Sequence, residues 1–337
     1  MGSARLSDIA VHAGVSEATV SRVLNGKPGV SAAKRQAVLG ALDVLGYQRP
    51  ARPAQRPQGL VGLITPELDN PIFPAFAQAI ERSLAQHGHT TILCTQVPGG
   101  ASEDEFVDQL VERGAQGIVF VSGLHSDVGA SAERYARLLG KGIPIVMING
   151  HKPETGAPAL STDDRLAARL AVSHLADLGH RQIGLAVGQR RYLPALRKVE
   201  GFRTAMADLL GLTSVEELIE HTLFSVEGGQ AAAAALLDRG CTAVVCGSDL
   251  MALGAIRAAR SRGLRVPADV SVTGYDDSPL VAFTDPPLTT VRQPVTAMAM
   301  AAVDTLLEAM HGGASRGIEL VFRPELIVRG STGAAPR

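Results

Sequence analysis

From residue 60 onward, short apolar runs alternate with amphipathic helical segments, and this alternation constrains the possible folds most strongly. The run LVGLIT at 60–65 is apolar throughout, which is typical of a parallel strand buried on both faces. Further strands are predicted at 90–96, 117–122, 143–148, 182–187, 219–224, 243–248, 270–277, 289–294, 318–323 and 325–329, and helices at 73–87, 103–113, 131–140, 164–178, 199–210, 226–238, 249–262 and 294–310. Such alternation forms parallel sheets covered by helices on both faces. Because it occurs in two successive sets, we predict two α/β subdomains.

Ligands of open α/β sheets bind beyond the carboxyl ends of the strands, so the residues that follow each predicted strand are candidate ligand contacts. These are residues 65–73, 122–125, 188–191, 247–249 and 275–277, together with Asn149, Asp163, Phe224 and Gln293. The set is mainly polar and has no evident reactive centre. The chain also contains no nucleophile elbow, phosphate-binding loop or HExxH motif, so we expect a binding protein and not an enzyme.

The composition is that of a globular protein, with 46% apolar and 19% charged residues, and 337 residues exceed what one hydrophobic core normally supports. No apolar stretch approaches the roughly 20 residues that span a bilayer, and MGSARLSDIA at the N-terminus has no hydrophobic signal core. We therefore expect a cytoplasmic protein without a membrane partner. Cys94, Cys241 and Cys246 fit neither a disulfide framework nor a common zinc site, so we expect buried thiols and no metal or cofactor.

Charge is distributed unevenly along the chain, although the net charge is only −1. Residues 1–57 contain eight Lys or Arg and three Asp or Glu, a net charge of +5. The remainder carries 24 basic and 30 acidic residues, a net charge of −6. A small basic segment on an acidic body predicts a polyanionic partner for the N-terminal segment alone.

Three short helical patterns follow one another in residues 1–47. Their apolar faces are Ile9, Ala10 and Ala13 in the first, Val20, Val23 and Leu24 in the second, and Val38, Ala41, Leu42 and Leu45 in the third. Gly14 suits the end of the first helix, and Ser16 and Ser31 suit the starts of the other two. Two helices joined by a short turn and braced by a third form a helix-turn-helix unit. Spacing alone leaves open a generic three-helix bundle with a solvated basic face.

The outer face of the second helix is the candidate DNA-reading surface, since a helix fits a major groove about 12 Å wide. Arg22 can donate two parallel hydrogen bonds to guanine, and Ala18 is small enough to contact a thymine methyl group. Glu17 could accept from cytosine or serve only the helix dipole. The other predicted DNA contacts in residues 1–47 are Ser16, Thr19, Ser21 and Asn25, which suit phosphate oxygens, together with Ser7, Ser31 and Tyr47.

The N-terminal segment resembles the DNA-binding headpiece of the LacI/GalR family of transcriptional regulators. It has the elements D-I-A, A-G-V-S, T-V-S-R-V-L-N, V-S and L-G-Y in the family's order and at its spacing. Arg5 stands where the family often has a threonine that caps the first helix. The body resembles the core of the same family in LDNPIF at 68–73, LGHRQIGL at 178–185, GSDLMALGAIRA at 247–258, GLRVPADVSVTGYDDSP at 263–279 and PPLTTVRQP at 286–294.

The resemblance implies an N-terminal all-α helix-turn-helix headpiece and an α/β two-lobed periplasmic-binding-protein-like core. We predict a headpiece at 1–47, a Pro/Arg-rich hinge linker at 48–59, and an effector-binding and dimerisation core at 60–337. Within the core, the N-subdomain is expected at about 60–161 plus 292–320, and the C-subdomain at about 162–291 plus 321–337. The implied effector lies in the cleft between them, with candidate contacts at Asn70, Phe73, Asp163, Lys198, Phe224, Ser248, Asp249, Asp276 and Gln293.

Several of these candidates also have a purely structural interpretation. Asp276 could cap the turn YDDSP without any effector contact, and Asp249 could stabilise a helix dipole without any effector contact. Phe73 and Phe224 could be core residues. Lys198 stands where the family has a cleft arginine, so it keeps the charge but loses the planar guanidinium, and the adjacent Arg197 could compensate.

The predicted linker, QRPARPAQRPQG, interrupts every periodicity with three prolines and three arginines. Pro53 and Pro57 disfavour a continuous helix, and the generic interpretation is a semi-extended tether. The resemblance implies instead a hinge helix that folds on DNA and places a leucine in the minor groove. Here Pro57 stands at about the position of that leucine, and Arg52 and Arg56 could enter a narrow minor groove in its place.

We therefore predict a sequence-specific DNA-binding regulator, a repressor, whose affinity for operator DNA is controlled by a small polar effector such as a sugar. One small headpiece has too little surface for tight specific binding, so we expect a homodimer on a near-palindromic double-stranded site. The C-terminal ELIVRGSTGAAPR has no heptad repeat that would build a tetramer. The alternatives are an activator of the same architecture, and a small-molecule-binding protein or an enzyme without a DNA role.

Overall fold

A computed structural model describes residues 6–24, 29–45, 58–97, 99–313 and 317–336. The chain divides into two compact units, Met1–Arg56 and Pro57–Arg337. Of the predicted DNA contacts, Asn25, Tyr47, Arg52 and Arg56 lie outside the described residues, as do Pro53 and Pro57 of the predicted linker.

The first unit contains the three predicted helices, α1 (Leu6–Ala13), α2 (Glu17–Leu24) and α3 (Ala32–Val44). Its buried core is Ile9, Ala10, Val20, Val23, Val38 and Ala41, all of which belong to the predicted apolar faces. Gly14 adopts a φ of +62° at the end of α1, a conformation that glycine tolerates without strain. The Ser16 Oγ accepts a hydrogen bond of 3.3 Å from the Thr19 N–H at the start of α2.

The second unit alternates strands and helices as predicted. The strands are β1 (Gly59–Thr65), β2 (His89–Thr95), β3 (Ala115–Val121), β4 (Ile145–Ile148), β5 (Ala159–Thr162), β6 (Ile183–Val187), β7 (Ile219–His221), β8 (Ala243–Cys246), β9 (Ser271–Asp276), β10 (Thr289–Arg292), β11 (Glu319–Phe322) and β12 (Glu325–Ile327). The helices are α4 (Ile72–Gln86), α5 (Glu103–Glu112), α6 (Glu133–Gly140), α7 (Asp164–Asp177), α8 (Leu193–Leu210), α9 (Val226–Asp238), α10 (Asp249–Ser261) and α11 (Val295–Met310).

These strands form two six-stranded sheets, with the orders β11-β5-β4-β3-β1-β2 and β12-β10-β9-β8-β6-β7. Within the described residues every strand pairing is parallel apart from β10 with β12. Helices pack on both faces of each sheet, and separate apolar clusters fill the space beneath them. The predicted two-lobed α/β core is therefore confirmed.

Three elements differ clearly from the sequence-based expectation, and one of them is β7, which ends at His221 and not at residue 224. Strand β5 was not predicted, because its four residues, two of them Ser161 and Thr162, carry no recognisable apolar periodicity. It is buried throughout, between β4 and β11. Helix α8 begins at Leu193 and not at residue 199, since Pro194 fits the first helical turn, where no backbone donor is needed.

The chain passes between the two sheets at three places, which lie between β5 and α7, between β10 and α11, and between β11 and β12. These crossovers are hydrogen-bonded to one another. The Thr162 hydroxyl donates to the Gln293 side-chain carbonyl at 2.9 Å, which joins the first crossover to the second. The Asp163 N–H donates to the Phe322 carbonyl at 2.8 Å, which joins the first to the third.

All three cysteines lie in the second unit. Cys94, Cys241 and Cys246 are free thiols in buried positions, as expected. Among the described segments, no helix is both long and apolar enough to cross a membrane.

Candidate functional sites

The outer face of α2 is separate from the headpiece core. Val20 and Val23 are buried, whereas Glu17, Ala18 and Arg22 are exposed. The other predicted DNA contacts in the described part of the headpiece are Ser7, Thr19 and Ser21, which are half-buried, and Ser16 and Ser31, which are exposed. Burial therefore places the predicted base-reading side chains, Ala18 and Arg22, at the surface of α2, where they can reach a groove.

The carboxyl ends of strands from the two sheets face each other in the second unit. One contact between these ends is an isolated β-bridge that joins Asp127, which follows β3, to Tyr192, which follows β6. Ser122, Asn149, Asp276 and Asp277 all lie at or just after strand ends, and they are the non-glycine residues with positive φ among those described. Such backbone strain is often concentrated at binding sites, so the junction between the sheets is the candidate effector site.

Gln293 connects the two sheets within this junction. Its Nε2 donates a hydrogen bond of 2.7 Å to the Asp276 Oδ1 at the end of β9. Its Oε1 accepts from the Thr162 Oγ1 at 2.9 Å and from the Asn149 Nδ2 at 3.5 Å, both on the first sheet's side. The Gln293 and Asp276 side chains are each only 6% exposed. Two of the predicted effector contacts are thus brought together at the point where the lobes meet.

Lys198, at the position of the family's cleft arginine, takes part in a buried ion pair. Its Nζ donates a hydrogen bond to the Asp164 Oδ1, and the Tyr275 hydroxyl donates to the same oxygen at 3.1 Å. The ammonium also lies 3.8 Å from the centroid of the Tyr275 ring. Asp164 is a site residue that the sequence-based prediction missed, although the prediction included its neighbour Asp163.

The pKa of the Asp276 carboxyl is perturbed by its surroundings in the junction. Its pKa is well above the usual range, first because of burial and second because of the nearby negative charge of Asp249. Burial likewise raises the pKa of Asp249 to about 6, against the opposing effect of hydrogen bonds from Thr290 and Ser278. A buried carboxylate without its own cation is unfavourable for stability, which is typical of a residue retained for binding.

Asp249 is held entirely by protein donors. Its Oδ1 accepts from the Thr290 hydroxyl at 2.6 Å, and its Oδ2 accepts from the Ser278 N–H at 2.6 Å. Because these bonds fix the loop that follows β9, they favour a positioning role over direct effector contact. Asp163 and Ser248 act as N-caps, accepting from the Leu166 and Met251 N–H groups, which accounts for their residue types without a ligand.

Phe224 forms a platform against the ends of two strands of the second sheet. A Cβ at Gly188 would lie 2.0 Å from its ring, and a Cβ at Gly247 would lie 3.4 Å from it, so Gly188 is required for this packing. The half-buried ring lies 6.4 Å from that of Tyr192. On the first sheet's side, Phe73 is half-buried against the apolar core, and the Asn70 Oδ1 accepts from the Ile72 N–H at 3.4 Å.

Two further contacts that involve charged residues join the lobes outside this network. Arg197 donates to both oxygens of Glu319 at 2.5 and 2.8 Å, so it does not substitute for the family arginine in the junction. Arg191 lies 3.6 Å from Asp127, and the Arg191 carbonyl accepts a hydrogen bond of 2.8 Å from the Val128 N–H. Sequence patterns do not reveal these pairs, because their partners are far apart along the chain.

Two family models match the chain. The model described as "Bacterial regulatory proteins, lacI family" matches residues 5–50. The model described as "Periplasmic binding protein-like domain" matches residues 172–332. The matches fall on the headpiece and on the core, as the sequence resemblance implied.

Two similar bacterial proteins align with nearly the whole chain. An uncharacterized HTH-type transcriptional regulator in the aml 5′ region of Streptomyces limosus is 63% identical over 97% of this chain and 94% of its own. The HTH-type transcriptional regulator MalR of Streptomyces coelicolor is 62% identical over 98% of this chain and 97% of its own.

Solved structures give the same result for the fold. The complex of the transcriptional regulator CelR with cellobiose is similar, with a TM-score of 0.73, 30% identity, and coverage of 97% of this chain and 99% of that one. The lac repressor dimer bound to operator and the anti-inducer ONPF has a TM-score of 0.70 and 28% identity, over 99% of this chain and 100% of that one. The chain therefore belongs to the LacI family of helix-turn-helix transcriptional regulators.

Proposed function

We propose that this regulator acts in the cytoplasm and represses transcription from a near-palindromic, double-stranded operator. A small carbohydrate bound between the lobes controls its affinity for that operator. The observation that carries the proposal is the Gln293–Asp276 contact, which joins the two sheets at their carboxyl ends. The cellobiose complex of CelR and the operator complex of the lac repressor support the two halves of the proposal. That these relatives are regulators argues against the alternative of an enzyme.

A polyol in the junction can act on the lobes through the same groups that hold them together. The hydroxyl groups of a sugar donate to a carboxylate and accept from an amide, so they compete with the hydrogen bond between Asp276 and Gln293. The apolar face of the sugar ring can stack on Phe224. A ligand changes the lobe arrangement only by binding one arrangement more tightly than the other. The junction network provides that difference, because its bonds depend on how the lobes are placed.

Selection of random DNA duplexes by the full-length protein tests the function as a whole. We expect an enriched two-fold-symmetric site, and we expect addition of the effector to change the fraction of protein bound to it. Enrichment without symmetry, or binding with no preference among sequences, would contradict an operator-binding homodimer.

Replacing Arg22 by Ala tests base reading by α2. If Arg22 donates to a guanine, Arg22→Ala should weaken binding to the selected site by about 1–3 kcal/mol and relax one base position. Fluorescence anisotropy on the selected site and on its single-base variants measures both effects. Lys34→Ala, which removes one exposed charge from α3, is the matched control. Equal weakening on all sequences by Arg22→Ala would identify a phosphate contact and refute direct reading.

Exposed apolar residues in the segment after β9 support the homodimer. Leu280 and Phe283 are 74% and 85% exposed, which is unfavourable in a monomer and usual at an interface. We expect the wild type to be a dimer at micromolar concentration, and Phe283→Asp to weaken dimerisation by about 2 kcal/mol or more. Light scattering and sedimentation measure the change, and Leu209→Asp on α8 is the control. A wild-type monomer or tetramer would contradict the proposal.

A further inference from the structure

A loop of the first lobe, residues 123–130, reaches the second lobe at its tip, Asp127 and Val128. The Asp127 backbone forms the isolated β-bridge with Tyr192. The Val128 N–H donates to the Arg191 carbonyl at 2.8 Å, and the Arg191 guanidinium lies 3.6 Å from the Asp127 carboxylate. The tip therefore contacts the second lobe through the backbone as well as through side chains.

This contact lies away from the crossovers that join the two lobes. The crossovers involve β11 and β5 of the first sheet and β12 and β10 of the second, which are neighbours at one edge of each sheet. Strand β3 is two strands from β5, and β6 is three strands from β10. Neighbouring strands are about 4.8 Å apart, so the contact lies roughly 10–14 Å from the crossovers. A contact at that distance from the crossovers opposes rotation of one lobe against the other.

Buried polar side chains hold the loop to the first lobe. The Glu103 carboxylate accepts from the Leu124 N–H at 3.0 Å, and the Lys152 Nζ donates to the Ala130 carbonyl at 2.7 Å. His125, within the loop, donates to a carbonyl of β4 at 2.9 Å. All three of these side chains are buried, so breaking their hydrogen bonds would leave polar groups without partners in the interior.

The contacts of the tip with the second lobe are closer to solvent. The Arg191 side chain is 58% exposed, and an exposed ion pair contributes little to stability. The Val128 side chain is 54% exposed, so the backbone hydrogen bond beside it lies near the surface. We therefore expect the contacts between the lobes to break before those that hold the loop to the first lobe.

We infer that residues 123–130 form a latch: the loop stays attached to the first lobe, and the lobe junction opens on this side when the tip separates from Arg191 and Tyr192. Tyr192, which the closed latch holds, lies beside the Phe224 platform, with the two ring centroids 6.4 Å apart. Opening therefore increases the access of solutes to Phe224. The inference goes beyond the proposed function, since it requires no particular ligand.

Hydrogen–deuterium exchange of the full-length protein, resolved to single amides, tests the latch. In the wild type we expect the protection factor of the Val128 amide to be about tenfold lower than that of the Leu124 amide, because only the tip is released on opening. Arg191→Ala should lower the protection of Val128 by about threefold and leave that of Leu124 unchanged. Arg190→Ala, which removes a neighbouring exposed arginine, is the matched control and should change neither amide.

A disulfide in place of the β-bridge fixes the latch in the closed state. Asp127→Cys/Tyr192→Cys places two thiols at opposed positions, whose Cβ atoms are normally about 5 Å apart. With oxidised glutathione we expect the disulfide to form and the protection factor of the Val128 amide to rise about tenfold, and we expect reduction to reverse both changes. The wild type under the same oxidant is the control, since Cys94, Cys241 and Cys246 are buried.

Three results would overturn the latch. Equal protection of the Val128 and Leu124 amides in the wild type would show that the tip is not released separately. An unchanged Val128 amide in Arg191→Ala would show that the contact between the lobes does not hold the tip. A disulfide that forms without slowing exchange at Val128 would show that the bridge does not control opening. Circular dichroism establishes that each variant is folded, and none of these results bears on operator binding or on the carbohydrate effector.

Discussion

At pH 7.5 the Asp276→Asn variant is expected to be more stable than the wild type, by about 2 kcal/mol in the free energy of unfolding. The Asn side-chain oxygen can still accept from the Gln293 Nε2, while the buried charge and its repulsion of Asp249 are removed. Urea unfolding followed by circular dichroism measures the change. The same variant should lose its response to the effector, since the proposed acceptor of the effector's hydroxyl groups is gone.

The pH dependence gives the prediction a second measurement. A carboxyl whose folded pKa is raised contributes stability below its unfolded pKa and loses it as the pH rises through the folded value. For Asp249 that interval runs from 3.8 to about 6, and full ionisation costs about 3 kcal/mol. The contribution of Asp249 to wild-type stability should therefore fall across this interval, and Asp276→Asn should flatten that fall relative to the wild type. Asp285→Asn, whose side chain is fully exposed, is the control. Lower stability of Asp276→Asn at pH 7.5 would contradict the argument.

Lys198→Met is expected to have the largest destabilising effect, about 3–5 kcal/mol in the free energy of unfolding. The substitution leaves the Asp164 carboxylate buried, with the Tyr275 hydroxyl as its remaining side-chain donor. A buried carboxylate without its cation keeps the desolvation penalty and loses the compensating attraction. Chemical denaturation at pH 7.5 measures the loss.

The double variant Asp164→Asn/Lys198→Met completes a thermodynamic cycle. Because it removes both charges together, it should recover most of the stability lost in Lys198→Met. A double variant no more stable than Lys198→Met would show that packing of the lysine side chain, and not its charge, dominates the loss.

The sequence predicted those parts of the fold that depend on local pattern. Helix α9 has its predicted bounds, because an alanine-rich segment between Ser225 and a terminal glycine carries both periodicity and end signals. Strand β5 was not predicted, since four buried residues with two hydroxyl side chains have no local signature. Asp164 lies two residues beyond its end, at the first position of α7, and was also not predicted.

The candidate site was predictable as a set of positions and not as a set of contacts. The rule that ligands bind beyond strand ends selected Asp276 and Gln293, which the structure places 2.7 Å apart. It could not show that Lys198 pairs with Asp164, 34 positions away in sequence, because that pairing depends on how α7 and α8 pack. Nor could it show that both carboxylate oxygens of Asp249 accept hydrogen bonds from protein donors, which distinguishes this residue from one that is free to bind a ligand.

The hydrogen bonds among the three interlobe crossovers limit how the lobes can move. The Asp163–Phe322 bond continues the pairing of β5 with β11 within the first sheet, and Gln293 is bonded to Thr162 on one side and to Asp276 on the other. The crossovers therefore run side by side, an arrangement that suits rotation of one lobe against the other about a shared hinge. We expect chemically different ligands of the junction to act on that one rotation, and so to differ in the size of a single response.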